Sequence, residues 1–384
     1  MRRRPATLER WKCGPDRDLI RLPVNLPTQT QETVAAILAP LDRARAMALS
    51  AALRWPWLAG IVRDRHRRIG VRATTVILFA FVLSIVSPAL MLAVGPAVFG
   101  IPHVASALRY LLLRQQIGRL WGGIMVGGCS VIAVLRMGEQ WLGTPASFAR
   151  AEIVVALVWV LGACLAGAWQ GKTWRRLLVT LPLLALGGAF AVAHAPAARI
   201  AFVHVHNLGA VVLWVVLFRR RAGQPLVPIL LLAGALALLL SGLTMPWTER
   251  LGGMRAAGVD LAVVGAWLAP GTAVALAVPL VLAHAFTDSV HYAFWLSVVP
   301  EETLRGQGTP TFRMTLRALV RDFGPLGLGL VGLLALSVLG ASLFDLGGTR
   351  NAYFAIAGFH GYVEGVMLVF LLTRGRGRNP VAAA

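Results

Sequence analysis

The chain carries histidines and carboxylates inside stretches of apolar sequence, where ionisable side chains are costly. His284, Asp288 and His291 are separated by four and three residues, so on a helix they share one face. His360 and Glu364 repeat the four-residue spacing in the last apolar stretch. Imidazole and carboxylate groups are ligand types that iron, zinc and manganese accept. These residues are therefore candidates for a metal site or, alternatively, for hydrogen bonds that only hold helices together.

Two further histidine segments lie in other apolar stretches. His103 follows Pro102, and we predict that it is a metal ligand. His204 and His206 are two residues apart, so a regular helix directs them to different faces. At most one of them then reaches a common site. We select His204, with Asn207 as a hydrogen-bonding partner, and leave open which of the pair points inward.

The composition defines the class of protein. Of 384 residues, 57% are hydrophobic and only 14% are charged, which is typical of an integral membrane protein. The net charge of +21 comes from basic residues in short segments between apolar stretches. This pattern reports topology and contact with anionic lipid headgroups, not nucleic-acid binding, since no folded basic domain is present to bind a groove. The cysteines Cys13, Cys129 and Cys164 form no metal-binding or disulfide pattern.

Ten apolar stretches have about the 20 residues that a helix needs to cross a membrane. The sequence therefore predicts an all-α polytopic bundle of about ten transmembrane helices. The stretches are 72–94, 96–113, 120–137, 151–169, 174–194, 197–218, 226–243, 259–283 with a continuation to 299, 324–345 and 351–373.

The loops between these stretches alternate between basic and poorly basic, which predicts that both termini are cytoplasmic. Residues 1–70 form a basic cytoplasmic head with an amphipathic helix on the membrane surface, where it contacts anionic lipids. Residues 71–373 form the transmembrane bundle, and residues 374–384 form a basic cytoplasmic tail. The expected location is a bacterial-type plasma membrane.

Two stretches contain irregular sequence beside the histidines. Gly95-Pro96 and Gly100-Ile-Pro102 predict a broken or half-helix at the start of the second stretch. The eighth stretch contains Pro270 and Pro279 and is too long for one straight span. We expect it to kink and continue as a second helical piece over 284–299. The pair Gly123 and Gly127 is a weak signal of close helix packing.

The order of these segments resembles the Brp/Blh family of bacterial and archaeal membrane β-carotene dioxygenases. The early Gly100-Ile-Pro-His103 segment, the mid-chain histidine helix around His204 and the final His360 and Glu364 pair are similar to segments of that family. The helix with His284 and His291 followed by aromatic residues is similar as well, although the family's two histidines are four residues apart and these are seven apart. The resemblance implies cleavage of the central double bond of a carotenoid with non-heme iron, and His103, His204, His284 and His291 as iron ligands.

The preferred hypothesis is a membrane non-heme iron oxygenase that acts on a lipid-soluble, carotenoid-like substrate. The predicted metal ligands are His103, His204, His284, His291 and His360, and the predicted catalytic carboxylates are Asp288 and Glu364. The main alternative is a transporter or channel in which the same histidines and carboxylates relay protons or metal ions. A bis-histidine heme protein and a non-catalytic membrane scaffold are further alternatives.

Overall fold

The computed structural model of the chain describes residues 28–115, 117–143, 145–219, 225–304 and 308–375. The predicted head residues 1–27 and tail residues 376–384 lie outside the described residues. The first half of the described chain forms nine helices: α1 Thr28–Leu53, α2 Pro56–Arg63, α3 Arg65–Val86, α4 Pro88–Leu111, α5 Arg119–Leu142, α6 Pro145–Gly171, α7 Leu177–Ala193, α8 Ala195–His206 and α9 Gly209–Leu213.

The second half of the described chain adds eight helices and one short antiparallel hairpin. These elements are α10 Leu226–Leu240, α11 Met245–Arg250, β1 Arg255–Ala256, β2 Val259–Asp260, α12 Leu261–Leu268, α13 Val274–Ala293, α14 Val299–Glu302, α15 Phe312–Ser342, α16 Leu346–Ala357 and α17 Phe359–Arg374. Single turns of 3₁₀ or π-helix connect some of them: Leu113–Gln115, Trp174–Arg176, Trp214–Phe218 and Phe294–Val298.

Eight of the described helical segments are long and apolar enough to cross a membrane. The count is nine if α8 and α9 with the following π-turn, which are bent by 56°, are taken as one span. The described chain is thus an all-α bundle, and the predicted membrane class is confirmed. The seventh predicted stretch, 226–243, forms the shorter helix α10. Large apolar side chains such as Leu183, Leu186 and Leu336 are exposed on the outside of the bundle, where lipid would cover them.

The chain breaks its helices at other points than the sequence predicts. The prediction of a broken helix at 95–102 is wrong, because α4 runs through Pro96 and Pro102. The break lies instead at Ser87, before Pro88, which takes the first helical position of α4. Near the middle of the chain, α12 ends before Pro270 and Gly271, whose φ is +79°. The predicted break of the eighth stretch is therefore present, but it lies at 269–273, so the second piece begins at Val274 and α13 passes through His284 without interruption.

The bundle has one end that is held by ion pairs and hydrogen bonds of its basic residues. Arg68 donates to the Glu301 carboxylate at 2.8 Å, and Arg65 donates to the backbone carbonyl of Glu301 at 2.9 Å. Arg109 and Arg114 both pair with Asp322, at 2.6 and 2.8 Å. We call this the basic end, and the end with Ser87, Gly143, His194 and Asp345 the opposite end.

Two central helices, α13 and α17, carry the deepest part of the core. α13 packs against α3, α4, α10 and α12, and α17 packs most extensively against α6. The close approach of α6 to α17 depends on Gly167 and Gly171. A Cβ at either position would lie within 2.6 Å of the α17 backbone. The predicted packing pair Gly123 and Gly127 meets no described atom within 4 Å of an added Cβ.

Candidate metal centre

Four helices bring one histidine each to a common point inside the bundle. His103 comes from α4, His206 from the last residue of α8, His291 from α13 and His360 from α17. His103 and His291 are fully buried, and His360 is nearly so. We call these residues the four-histidine cluster. The distances between ring centroids in this cluster are 4.8 Å for His103 and His360, 5.3 Å for His103 and His291, 5.4 Å for His206 and His291, 5.4 Å for His206 and His360, and 5.7 Å for His291 and His360.

The backbone fixes the tautomer of three of these rings. The Nδ1 atom of His103 lies 2.9 Å from the Phe99 carbonyl oxygen, one turn back along α4. His206 and His360 make the same contact with the carbonyls of Val203 and Ala357, at 3.0 and 2.8 Å. A carbonyl oxygen only accepts, so each Nδ1 carries the proton and each Nε2 keeps a lone pair.

The Nε2 atoms of His103 and His360 lie 3.1 Å apart. Two imidazole acceptors at this distance repel each other unless a proton or a metal ion lies between them. Metal–nitrogen bonds of about 2.0–2.1 Å place neighbouring ligand nitrogens about 2.9–3.4 Å apart, depending on the bond angle. Ligand nitrogens of His103, His291 and His360 all lie within 4.8 Å of one another. The donor set and its spacing therefore fit a divalent transition metal.

Glu364 lies beside the fourth ring. Its Oε1 atom accepts a hydrogen bond of 2.7 Å from the indole Nε1 of Trp295 and lies 3.3 Å from the Nε2 of His291. The approach to His291 is poorly aligned, so both nitrogens of that buried ring lack a hydrogen-bond partner among the described residues. The carboxylate fits here because position 209 is glycine: a Cβ on Gly209 would lie 2.6 Å from the Glu364 Oε2.

His204 and His284 form a separate pair next to the cluster. Their ring centroids are 5.3 Å apart. The Nε2 of His204 lies 3.2 Å from the Leu268 carbonyl oxygen, and the Asn207 amide nitrogen lies 3.3 Å from the Nδ1 of His284. His284 and His291 share a face of α13 but are about 10 Å apart along the helix axis, at 1.5 Å per residue. One metal ion therefore cannot bind both His284 and His291.

The structure thus gathers part of the predicted site. Three of the predicted ligands, His103, His291 and His360, are in the cluster, and Glu364 lies next to it. His204 and His284 are in the neighbouring pair. His206, not His204, packs its ring against His291 and His360, while the ligand nitrogens within 4.8 Å of one another belong to His103, His291 and His360. The signal that separates the two residues is the end of α8 at His206, followed by the 56° bend.

Asp288, the other predicted carboxylate, lies outside the cluster. It is buried on α13, where it lies beside Tyr292 and interacts electrostatically with His291 of the cluster and with Arg350 of α16. Tyr292 in turn packs against His103, with a distance of 4.3 Å between ring centroids. Asp288 is therefore placed to orient Tyr292 at the edge of the cluster.

A cavity of about 80 Å³ lies beside the cluster. Its lining includes both histidine groups and several polar side chains: Arg136, His206, His284, Arg350, Tyr353 and His360. The volume suffices for several water molecules, since one needs about 10–15 Å³ on this measure. It is well below the roughly 300–1,000 Å³ of sites that enclose drug-sized ligands.

The fold and this site define a class: an all-α bundle of membrane-spanning length with a buried cluster of histidines from four helices. Comparison with protein-family models, with curated proteins and with solved structures gives no match. The resemblance to the Brp/Blh family accordingly stays a prediction based on the short histidine segments.

Proposed function

We propose that this protein is a membrane metalloenzyme, a non-heme iron oxygenase that acts on a lipid-soluble substrate. The observation that carries the proposal is the convergence of His103, His206, His291 and His360 from four helices inside the apolar bundle. A site that serves only to hold helices together needs pairs of donors and acceptors. Here His103, His291 and His360 hold ligand nitrogens within 4.8 Å of one another, and the Nε2 atoms of His103 and His360 lie 3.1 Å apart.

The chain's own residues would hold and orient the ion. The backbone carbonyls of Phe99, Val203 and Ala357 keep three Nε2 atoms available as ligands. The Glu364 carboxylate, itself held by Trp295, would orient His291 and offset part of the positive charge. When bound, iron would supply activation of O₂ at coordination positions that the histidines leave open.

The surroundings favour a substrate that partitions into lipid. The cluster is buried among apolar side chains of α4, α13 and α17, which exclude bulk water. A carotenoid-like molecule is larger than the cavity of about 80 Å³, so this substrate requires the cavity to widen when it binds. We place the protein in a bacterial-type plasma membrane, with the basic end toward the cytoplasm and anionic lipids.

Metal analysis and an absorption spectrum of the detergent-purified protein test the proposal. We expect about one iron per chain, no Soret band and loss of the iron in His103→Ala and His360→Ala. The matched control is His194→Ala, which changes an exposed histidine at the opposite end of the bundle. Folded wild-type protein that takes up no metal even after incubation with Fe²⁺ contradicts the proposal, and a Soret band assigns the histidines to heme.

A second candidate function is proton-coupled transport. Glu152, fully buried in α6, contacts Arg136 and the hydroxyl of Tyr362, each at 2.6 Å, and lies 3.6 Å from Arg199. Buried charges in membrane helices often belong to proton or ion pathways. Transport by reconstituted vesicles that is lost in Asp288→Asn, with no bound metal, favours this function over the oxygenase.

A further inference from the structure

One wall of the cavity carries an arginine and a tyrosine, each with one buried polar atom that has no hydrogen-bond partner among the described residues. Arg350 is half-buried on α16, and its guanidinium lies 5.5 Å from the centre of the Phe354 ring. Its buried Nε has no hydrogen-bond partner among the described residues. The neighbouring Tyr353 is only 5% exposed, and its hydroxyl is buried and equally without a partner in the described chain. Both side chains line the cavity beside the four-histidine cluster.

Three other arginines of the described bundle have carboxylate partners, whereas Arg374 at the basic end has none within 4 Å among the described residues. Arg136 pairs with Glu152 at 2.6 Å, Arg199 with Glu139 at 2.5 Å, and Arg109 with Asp322 at 2.6 Å. Arg350 has no carboxylate within 4 Å among the described residues. Asp288 interacts with it only over a longer distance.

We propose that the cavity binds a small carboxylate, whose oxygens accept hydrogen bonds from the Arg350 guanidinium and the Tyr353 hydroxyl. A guanidinium presents paired N–H donors that match the two oxygens of a carboxylate, and a phenol adds a third donor. The cavity of about 80 Å³ leaves room for the carboxylate and a few carbon atoms. Those carbons would extend toward His360 and His206, which line the same cavity.

Any role of this carboxylate in the reaction rests on the proposed function, whereas the binding itself does not. If the four-histidine cluster holds a reactive metal, Arg350 and Tyr353 position the carboxylate next to it, beside the lipid-soluble substrate. The two residues are then positioning residues. Charge supports the assignment, because Arg350 is a cation on the cavity wall. Asp288, which interacts with Arg350 over a longer distance, also interacts with His291 and Tyr292, and Glu152 is occupied by Arg136 and Tyr362.

Saturation-transfer NMR with acetate as the probe tests this inference on nanodisc-reconstituted protein, both chelator-treated and metal-loaded. We expect acetate, but not its neutral analogue acetamide, to bind both forms. Arg350→Gln should weaken acetate binding by about tenfold or more. Arg350→Lys should weaken it by less, because lysine keeps the positive charge but lacks the paired N–H donors of the guanidinium. Arg150→Gln, which changes an exposed arginine of α6 at the opposite end, should leave binding unchanged.

Unchanged acetate binding in Arg350→Gln overturns the inference, and so does equal binding of acetamide. Binding that appears only with metal and persists in Arg350→Gln assigns the acetate to the metal and overturns it as well. The proposed function can fail while this inference holds. That is the outcome if the wild-type protein takes up no metal but binds acetate, and Arg350→Gln weakens this binding. If Arg350→Gln does not fold, Tyr353→Phe carries the test. It removes only the hydroxyl, and undiminished affinity contradicts the inference.

Discussion

At the scale of single residues, the two histidines that end α8 have different roles. His206 contacts the rings of His291 and His360, whereas His204 faces His284 and the Leu268 carbonyl. We expect His206→Ala to weaken metal binding by more than the roughly 10–100-fold that loss of a ligand's hydrogen-bonding partner costs. His204→Ala should retain the metal. Metal titration of the two variants measures this difference, and the opposite ranking would return the ligand role to His204.

Sequence spacing could not choose between these residues. It showed correctly that His204 and His206 point to different sides, because successive helical positions differ by about 100°. Which side faces the cluster depends on the tilt of α8 and on the bend at Asn207 and Leu208. Both are set by packing against α6 and α17, which are distant in sequence. In contrast, His103 and His360 were accessible from sequence, since each stands alone in its apolar stretch.

Glu364 should control metal affinity without being a ligand. Its Oε1 accepts from Trp295 and lies 3.3 Å from the Nε2 of His291, so its negative charge acts on that ring. We expect Glu364→Gln to lower metal affinity by about 10–100-fold, because the amide keeps an acceptor for Trp295 but loses the negative charge beside His291. Competition with a chelator of known affinity measures the change. An unaltered affinity, with the fold intact, would falsify this role.

At the scale of elements, the contact between α6 and α17 is set by two glycines. A Cβ at Gly167 would lie 2.1 Å from the Thr373 Oγ1 and 2.6 Å from the Phe370 carbonyl oxygen, so Gly167→Ala must push the helices apart. We expect a loss of about 1–3 kcal/mol in the free energy of unfolding. Weaker metal binding should accompany it, because α17 carries His360. Unfolding in SDS measures the loss.

The control for this variant lies on the neighbouring helix. Gly127→Ala places its Cβ where no described atom lies within 4 Å, and it should be neutral or slightly stabilising. Equal destabilisation by both substitutions would show that helix propensity, not the contact of α6 with α17, sets the cost. The sequence analysis named only Gly123 and Gly127, because local sequence carries no information on which glycines meet a partner helix.

A second element, α1, is tied to the bundle through the Asp42 carboxylate and through Arg45, which donates to the backbone carbonyl and the hydroxyl of Thr309. The Asp42 Oδ1 accepts from the Phe312 N–H at 2.7 Å, and its Oδ2 accepts from the Arg313 Nε at 2.8 Å. Burial by itself would raise the pKa of Asp42, but these hydrogen bonds outweigh it and hold the pKa below its ordinary value of 3.8. Docking of α1 is therefore favoured above that value and weakens as the pH falls below it.

We expect hydrogen exchange over residues 35–53 to speed up in acid for the wild type. In Asp42→Ala, which removes both acceptors, exchange should already be fast at neutral pH. Glu249→Ala, a change at an exposed acidic residue of α11, should match the wild type. Slow exchange in Asp42→Ala at neutral pH would show that other contacts between α1 and α15 hold the helix in place.

At the scale of the whole molecule, apolar length predicted the helices better than it predicted their ends. A run of about 20 apolar residues has few alternatives to a membrane-crossing helix, because its backbone must satisfy its own hydrogen bonds in lipid. Proline positions were misleading: α4 continues through Pro96 and Pro102, while Ser87 and Pro88 end one helix and begin the next. The difference lies in neighbouring helices, which support α4 along its length.

The arrangement of the two ends leads to a prediction about membrane orientation. Arg175 lies at the basic end and Phe344, which is 94% exposed, lies between α15 and α16 at the opposite end. If basic residues mark the cytoplasmic side, a membrane-impermeant maleimide added to intact cells should label Phe344→Cys and not Arg175→Cys. Both variants are made in a protein that lacks the native cysteines. Permeabilised cells provide the control, because both introduced cysteines must react there. The reverse pattern would place the basic end outside and move the arginine-lined side of the cavity toward the cytoplasm.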